Sequence, residues 1–179
     1  MERILLLSGA MGAGKTAVAA MLESGGGFQR LSTSGYLRQY GAGLGPEGQR
    51  QQLQDLGDRL DLETDYRWVV DDVALPSFAR WPDAAHWLLD AARKPRQVTH
   101  FRAQFGPMVR HVHLTAPDGV LRERYTQRSE PADTPYDKAI RHPNEVAARG
   151  LLGEADHVFD TSTMSTDQVV ARIQTMWEC

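Results

Sequence analysis

The chain has 179 residues, 41% of them apolar and 24% charged, with a net charge of −3. That length suits one domain with a full hydrophobic core, and the mildly negative balance argues against a dedicated nucleic-acid coat or a membrane-surface protein. The one cysteine, Cys179, leaves no partner for an intrachain disulfide, which fits a reducing cytoplasm.

In chain order, residues 4–8 (Ile-Leu-Leu-Leu-Ser) form an apolar run that stops at glycine, as in a parallel strand buried on both faces. The run is too short for a signal segment or a membrane span. Residues 15–22 are alanine-rich and predict a helix, ended by Ser24-Gly25-Gly26-Gly27. A short second strand is expected over 28–32 and a helical stretch over 36–39, followed by a break at Gly41-Ala42-Gly43-Leu44-Gly45-Pro46. Leu53, Leu56 and Leu60 give 47–62 a helical period with an acidic face that reads as solvated. A further helix is expected over 66–74, a third strand over 87–90, and a helix over 98–105. Residues 109–114 alternate as a fourth strand, 117–128 follow as helix, and 129–143 are polar and partly loop. Helix 144–152, strand 157–159 and helix 166–177 close the chain. Strands alternating with helices predict an α/β fold, a single domain over 1–179 with a five-stranded parallel sheet and helices on both faces.

Gly9-Ala10-Met11-Gly12-Ala13-Gly14-Lys15-Thr16 satisfies G-x-x-x-x-G-K-[ST] at every fixed position, between the first strand and the first helix. Glycines let successive N–H groups turn inward as an anion nest, and the following helix adds the positive end of its dipole. Lys15 is expected on the β- and γ-phosphates of ATP and Thr16 on Mg²⁺. The cations gather further on: Arg93, Lys94, Arg96, Arg102, Arg110, Arg122, Arg124 and Arg128 face only Asp118 and Glu123 in the same stretch. Such a cluster in an acidic chain points to a phosphate-rich ligand.

Beyond the phosphate loop, Leu31-Ser32-Thr33-Ser34-Gly35-Tyr36-Leu37-Arg38 resembles the S-T-G-D-x-L-R segment of adenylate-kinase-like nucleoside monophosphate kinases, with Ser34-Gly35 in place of the family's Gly-Asp. Leu89-Asp90-Ala91-Ala92-Arg93, continuing to Gln97, is similar to that family's L-D-G-x-P-R-x-x-x-Q without its Gly and Pro, and Leu121 to Arg128 to its L-x-x-R-x-x-x-R. The resemblance implies an acceptor-side segment near 32–75 and a short lid near 124–143. It places Thr33, Arg38, Arg93 and Gln97 on the acceptor, and Asp90 on Mg²⁺ and in catalysis. Arg124 and Arg128, four apart on one helical face, would act with Lys15 on the transferring phosphoryl group. Tyr36, beside Arg38, is a stacking candidate. Arg96 and Arg122 read as surface charges.

The chain also resembles phage deoxynucleotide kinases, dephospho-coenzyme A kinase and phage kinases of 5-hydroxymethyluracil in DNA. The expected function is transfer of the γ-phosphoryl group of Mg-ATP to a nucleotide-like small molecule. Two alternatives are a modified-DNA kinase and a regulatory NTPase with no acceptor. A phosphate acceptor needs no general base, whereas a hydroxyl benefits from one. No Asp or Glu lies between 28 and 45, which leaves Asp90 as the candidate base and tilts the reading toward a phosphate acceptor. His111 and His113 share one side of a strand, but no third metal ligand stands at a matching spacing. No membrane partner is expected, and the cytoplasm is the expected location.

Overall fold

The computed structural model describes residues 1–41, 49–128 and 134–178, with side chains in the middle span from residue 52. Five strands, β1 (Arg3–Gly9), β2 (Phe28–Arg30), β3 (His86–Leu89), β4 (Val109–Thr115) and β5 (His157–Asp160), make one sheet in the order β2-β3-β1-β4-β5. All four pairings are parallel. The helices are α1 (Lys15–Gly25), α2 (Thr33–Tyr40), α3 (Gln49–Glu63), α4 (Leu75–Arg80), α5 (Pro95–Phe105), α6 (Asp118–Arg128), α7 (Tyr136–Ala139), α8 (Pro143–Gly150) and α9 (Thr166–Thr175).

β1 is the central strand, and alternation sends its side chains into two separate cores. Ile4 and Leu6 join Trp87, Leu89 and Phe101 on one face, with residues of α3 and α5. Leu5 and Leu7 join Leu88, Val112 and Leu22 on the other, with residues of α1, α6 and α9. All four β1 side chains are fully buried, which is why the run is continuous rather than alternating. Each such side chain contributes about 1.5–3 kcal/mol by leaving water.

Three local features differ from expectation. β2 ends at Arg30 because Ser32 leaves the strand to cap α2, its Oγ accepting from Gly35 N at 3.0 Å, so that helix starts at Thr33 rather than 36. The helix expected over 66–74 is a π-helical segment, Val69–Ala74, running directly into α4. Leu75 N bonds back to Val70 O, and Pro76 follows with no N–H to resume the ordinary ladder. Before it, Asp65 and Tyr66 adopt left-handed φ of 49° and 66°. Asp65 is clipped to α5 by Arg96 (Nε to Oδ1, 3.0 Å) and by His100, which donates to its carbonyl at 2.7 Å. The glycine-rich break from Ala42 and the lid residues 129–133 lie outside the described residues.

His111 and His113 turn inward from β4, both onto Ser8 of β1, with Ser8 Oγ 2.7 Å from His111 Nε2 and 2.9 Å from His113 Nδ1. Strand register explains the meeting, since β4 pairs Leu6 with His111 and Ser8 with His113. Burial, then His111, then Lys15 hold the His113 pKa down to about 4. Among the described residues, no helix is long and apolar enough to cross a membrane.

Candidate active site

The phosphate loop leaves β1 and lies across the carboxyl edge of the sheet. Gly9 has φ 140°, and a Cβ there would stand 2.3 Å from the Leu114 carbonyl oxygen of β4. Gly12, at φ 84°, would put one 2.6 Å from the Leu121 carbonyl oxygen of α6. These two glycines are therefore required by close packing as well as by backbone conformation. No side chain caps α1, which leaves its first N–H groups directed at the cleft above the loop.

That cleft has a volume of about 1050 Å³, and Gly9, Met11, Gly12, Ala13, Gly14, Lys15 and Thr16 all line it. Ala10 instead points into the core, 5% exposed, while its carbonyl accepts from Lys15 Nζ at 2.9 Å. Lys15 Nζ also donates to Gly9 O at 2.5 Å. Burial lowers the Lys15 pKa to about 8, with Arg93 and Arg128 pushing the same way and Glu145 and Asp90 opposing. Four charged groups, Asp90 and Arg93 after β3, Arg128 of α6 and Glu145 of α8, thus act on one ammonium.

Asp90, Arg93, Arg124 and Arg128 line the same cleft. Asp90 stands at the end of β3 with Arg30 3.6 Å away. The two arginines of α6 that line this cleft are not equivalent. Arg124 is bonded to Thr161 (Oγ1 and O, both 2.8 Å) and to Gly12 O at 3.4 Å, tying α6 to the loop and to the end of β5. Arg128 is exposed, lies over the Tyr125 ring at 5.5 Å, and is close enough to Lys15 to depress its pKa.

A second cleft of about 530 Å³ opens beside the first, and Thr33, Arg38, Arg93, Lys94 and Gln97 line it. Gln54, Arg93 and Asn144 border both spaces. Arg93 thus stands at the junction rather than wholly on the acceptor side. Gln97 is buried and its Oε1 accepts from the backbone N–H groups of Arg93 and Lys94 at 3.2 and 3.3 Å, so this oxygen is occupied in holding the Arg93 loop. Tyr36 lines neither cleft. Its ring stacks on Tyr40 and Trp68, each at 5.6 Å, and burial, then Asp72, raises its pKa. The aromatic pairing, not a ligand, accounts for its place. Arg96 and Arg122 are exposed and paired with Asp65 and Asp137, as their surface reading predicts.

Several cleft residues carry no sequence motif. The acidic face of α3 is not wholly solvated, because Asp61 is 6% exposed and accepts from Trp68 Nε1 at 2.8 Å. Burial raises its pKa, with Trp68 and Lys94 opposing. Asp58, one turn earlier, also lines the second cleft. From the first turn of α8, Glu145 reaches the phosphate loop, where its Oε1 accepts from Met11 N at 2.8 Å. A Pro-Asn-Glu start to a helix is the only sequence trace of this arrangement.

Thr16 and Asp90 offer hard oxygen donors in one cleft, which suits Mg²⁺ held by one carboxylate, a hydroxyl and substrate phosphates. Among the described residues, no three His, Cys, Asp or Glu side chains gather into a metal cage.

Residues 5–148 match the family model AAA_18, described as an AAA domain. The chain belongs to this AAA domain family. No curated protein matches it in sequence. Among solved structures, it is similar to a sugar kinase from Janibacter sp. HTCC2649, with a TM-score of 0.57 and 18% identity over 99% of this chain and 95% of that one. The YorR protein of Bacillus subtilis, in complex with phosphorylated GDP, gives a TM-score of 0.57 and 16% identity over 98% and 95% of the two chains. Shikimate kinase from Acinetobacter baumannii, in complex with shikimate, gives 0.55 and 17% over 98% and 92%. The family member described here therefore has the fold of the P-loop kinases.

Proposed function

We infer that the protein transfers the γ-phosphoryl group of ATP to a small, anionic, nucleotide-like acceptor. The observation that carries this reading is the pair of abutting clefts, one floored by the phosphate loop and one lined by Arg38 and Lys94, with Arg93 bordering both. A regulatory NTPase needs only the first. The kinases and nucleotide complex among the similar folds agree with a phosphotransferase, and a recess of about 530 Å³ suits a free small molecule better than a DNA duplex.

In this reading the nest at 9–16 and Lys15 bind the β- and γ-phosphates, and Arg128 and Arg93 meet the charge of the transferring group. Arg38 and Lys94 hold the acceptor anion. Mg²⁺, held by Thr16 and through Asp90, would neutralise phosphate charge. The test is phosphoryl transfer from radiolabelled ATP to a panel of nucleotides, coenzyme precursors and sugar derivatives, with Lys15→Ala as control. Labelled product is expected from the native chain, with at least a hundredfold loss in a folded Lys15→Ala. Hydrolysis alone, with every acceptor unlabelled, would move the NTPase reading ahead.

A further inference from the structure

Glu145 is a carboxylate in a cleft that is otherwise suited to anions. It is 8% exposed and lines the phosphate-loop cleft, where a fixed negative charge opposes an incoming phosphate. Its place in α8 explains how it reaches the loop. With His142 as N-cap, Glu145 stands at the third helical position, from which a glutamate commonly turns back to the N–H of its own cap. Here that N–H already donates to Ala139 O at 3.1 Å. The carboxylate accepts instead from Met11 N of the phosphate loop, at 2.8 Å. Two positions on, Ala13 N turns back to Ala10 O at 3.1 Å. Held by α8 on one side and by its own turn on the other, the loop presents its remaining N–H groups to a phosphate.

Glu145 is itself held, as a buried carboxylate must be. One turn on, Arg149 Nε pairs with the same Oε1 at 3.4 Å. Arg149 Nη1 pairs with Asp118 Oδ1 at 3.0 Å, and its Nη2 donates to Tyr136 OH at 3.1 Å. Arg149 is not among the described residues that line the cleft, so its path to Met11 runs through Glu145. Tyr136 belongs to α7, within the lid span, where Arg122 lies over its ring at 4.8 Å and pairs with Asp137. A chain of contacts therefore runs from α7 through Arg149 and Glu145 to the phosphate loop.

We propose that Glu145 is a positioning residue of the phosphate loop, and that Arg149 transmits the placement of α7 to the loop through it. This rests on the reading of the loop as the ATP site and adds what holds that loop in its binding shape. The role has a sign that charge alone does not give. Removing the negative charge by itself favours phosphate, whereas removing the acceptor releases Met11 N and with it the bend of the loop. A loss of ATP affinity on truncation, restored by a neutral acceptor of the same shape, therefore separates positioning from electrostatics.

The experiment titrates the full chain with Mg-ATP by calorimetry and follows the Met11 amide by proton–nitrogen NMR. Glu145→Ala is expected to weaken ATP binding about tenfold, the scale of one lost hydrogen bond, and to move the Met11 resonance. Glu145→Gln, which keeps an acceptor oxygen and drops the charge, should restore both. Arg149→Met should weaken ATP binding about threefold, the scale of a partly exposed ion pair, and add nothing in the Glu145→Ala background. Should Glu145→Ala not fold, the ATP affinity and Met11 resonance of Glu145→Gln decide, and a loss of both overturns the proposal. Tighter binding in both Glu145 variants would leave only a repulsive charge, and equal loss or native affinity in both would likewise overturn the positioning role. Additive losses would cut the path from α7. A native chain that does not bind Mg-ATP would overturn the reading of the ATP site itself.

Discussion

Lys15 sits where burial and charges far away in sequence together set its pKa. Burial is the largest cause, and Arg93 and Arg128 add to it, while Glu145 and Asp90 resist. Bound phosphates favour the ammonium, so ATP must find Lys15 protonated or supply the proton on binding. Below pH 8 the charge is already present. Above it, ATP affinity is expected to fall by up to about tenfold per pH unit toward the ordinary lysine range. Calorimetric titration of ATP between pH 7 and 10 checks this, and a flat profile in the native chain would separate Lys15 from the phosphates. Arg124 makes a different prediction from its helical neighbour Arg128. Its bonds to Thr161 and Gly12 hold the phosphate loop, so Arg124→Ala should weaken ATP binding by about 1.5–3 kcal/mol, the scale of a lost charged hydrogen bond. Arg128→Ala should lower kcat and leave ATP affinity nearly unchanged. Equal effects of the two substitutions on ATP affinity would remove the distinction.

β4 carries two histidines into the interior, where both meet the buried Ser8. His113 is held neutral, its pKa near 4 through burial first, and His111 is lowered for the same reason. Both therefore bind fewer protons folded than unfolded below the ordinary value of about 6.5. The sign follows: their contribution to stability is complete above pH 6.5 and is lost as pH falls toward 4, by about 1.4 kcal/mol per pH unit for His113. Urea denaturation across pH 4 to 7 should show that slope, and His113→Gln should flatten part of it. An unchanged slope in the variant would assign acid sensitivity to carboxylates elsewhere. The π-helical segment before α4 is a second feature of this scale. It buries Val69, Val70, Val73 and Ala74 in one core.

Across the whole molecule, the sheet order brings the loops after β1, β2 and β3 to one edge, as a parallel sheet with binding at its carboxyl ends requires. Arg38, in α2 after β2, and Arg93, in the loop after β3, occupy different positions, since Arg38 lines only the second cleft and Arg93 borders both. Arg38→Ala is accordingly expected to raise the acceptor KM by about 1.5–3 kcal/mol equivalent with kcat little changed. Arg93→Ala should lower kcat as well. Steady-state kinetics of both variants with ATP saturating would check it, and a pure KM effect at Arg93 would return it to the acceptor side.

The phosphate loop and the alternation of strands and helices were legible in the chain alone, because both are local. G-x-x-x-x-G-K-T specifies its own turn, and a run such as 4–8 can only be a strand buried on two faces. The basic segment was legible too, as a count of charges. What each charge does was not. Arg124 and Arg128 share a spacing and a helix, yet one is bonded to Thr161, thirty-seven positions from it, and the other stands free of that contact over Tyr125. Tyr36 adjoins Arg38 in sequence but stacks away from the cleft on Trp68. Asp58, Asn144 and Glu145 carry no motif, and they acquire meaning only when α3 and α8 pack over the loop, eighty-six positions apart for Asp58 and Asn144 and 134 for Met11 and Glu145. Local sequence determines elements through propensity and periodicity. Which side chains converge on one cleft is decided by packing between distant segments, where burial and converging charges, rather than spacing, mark the site.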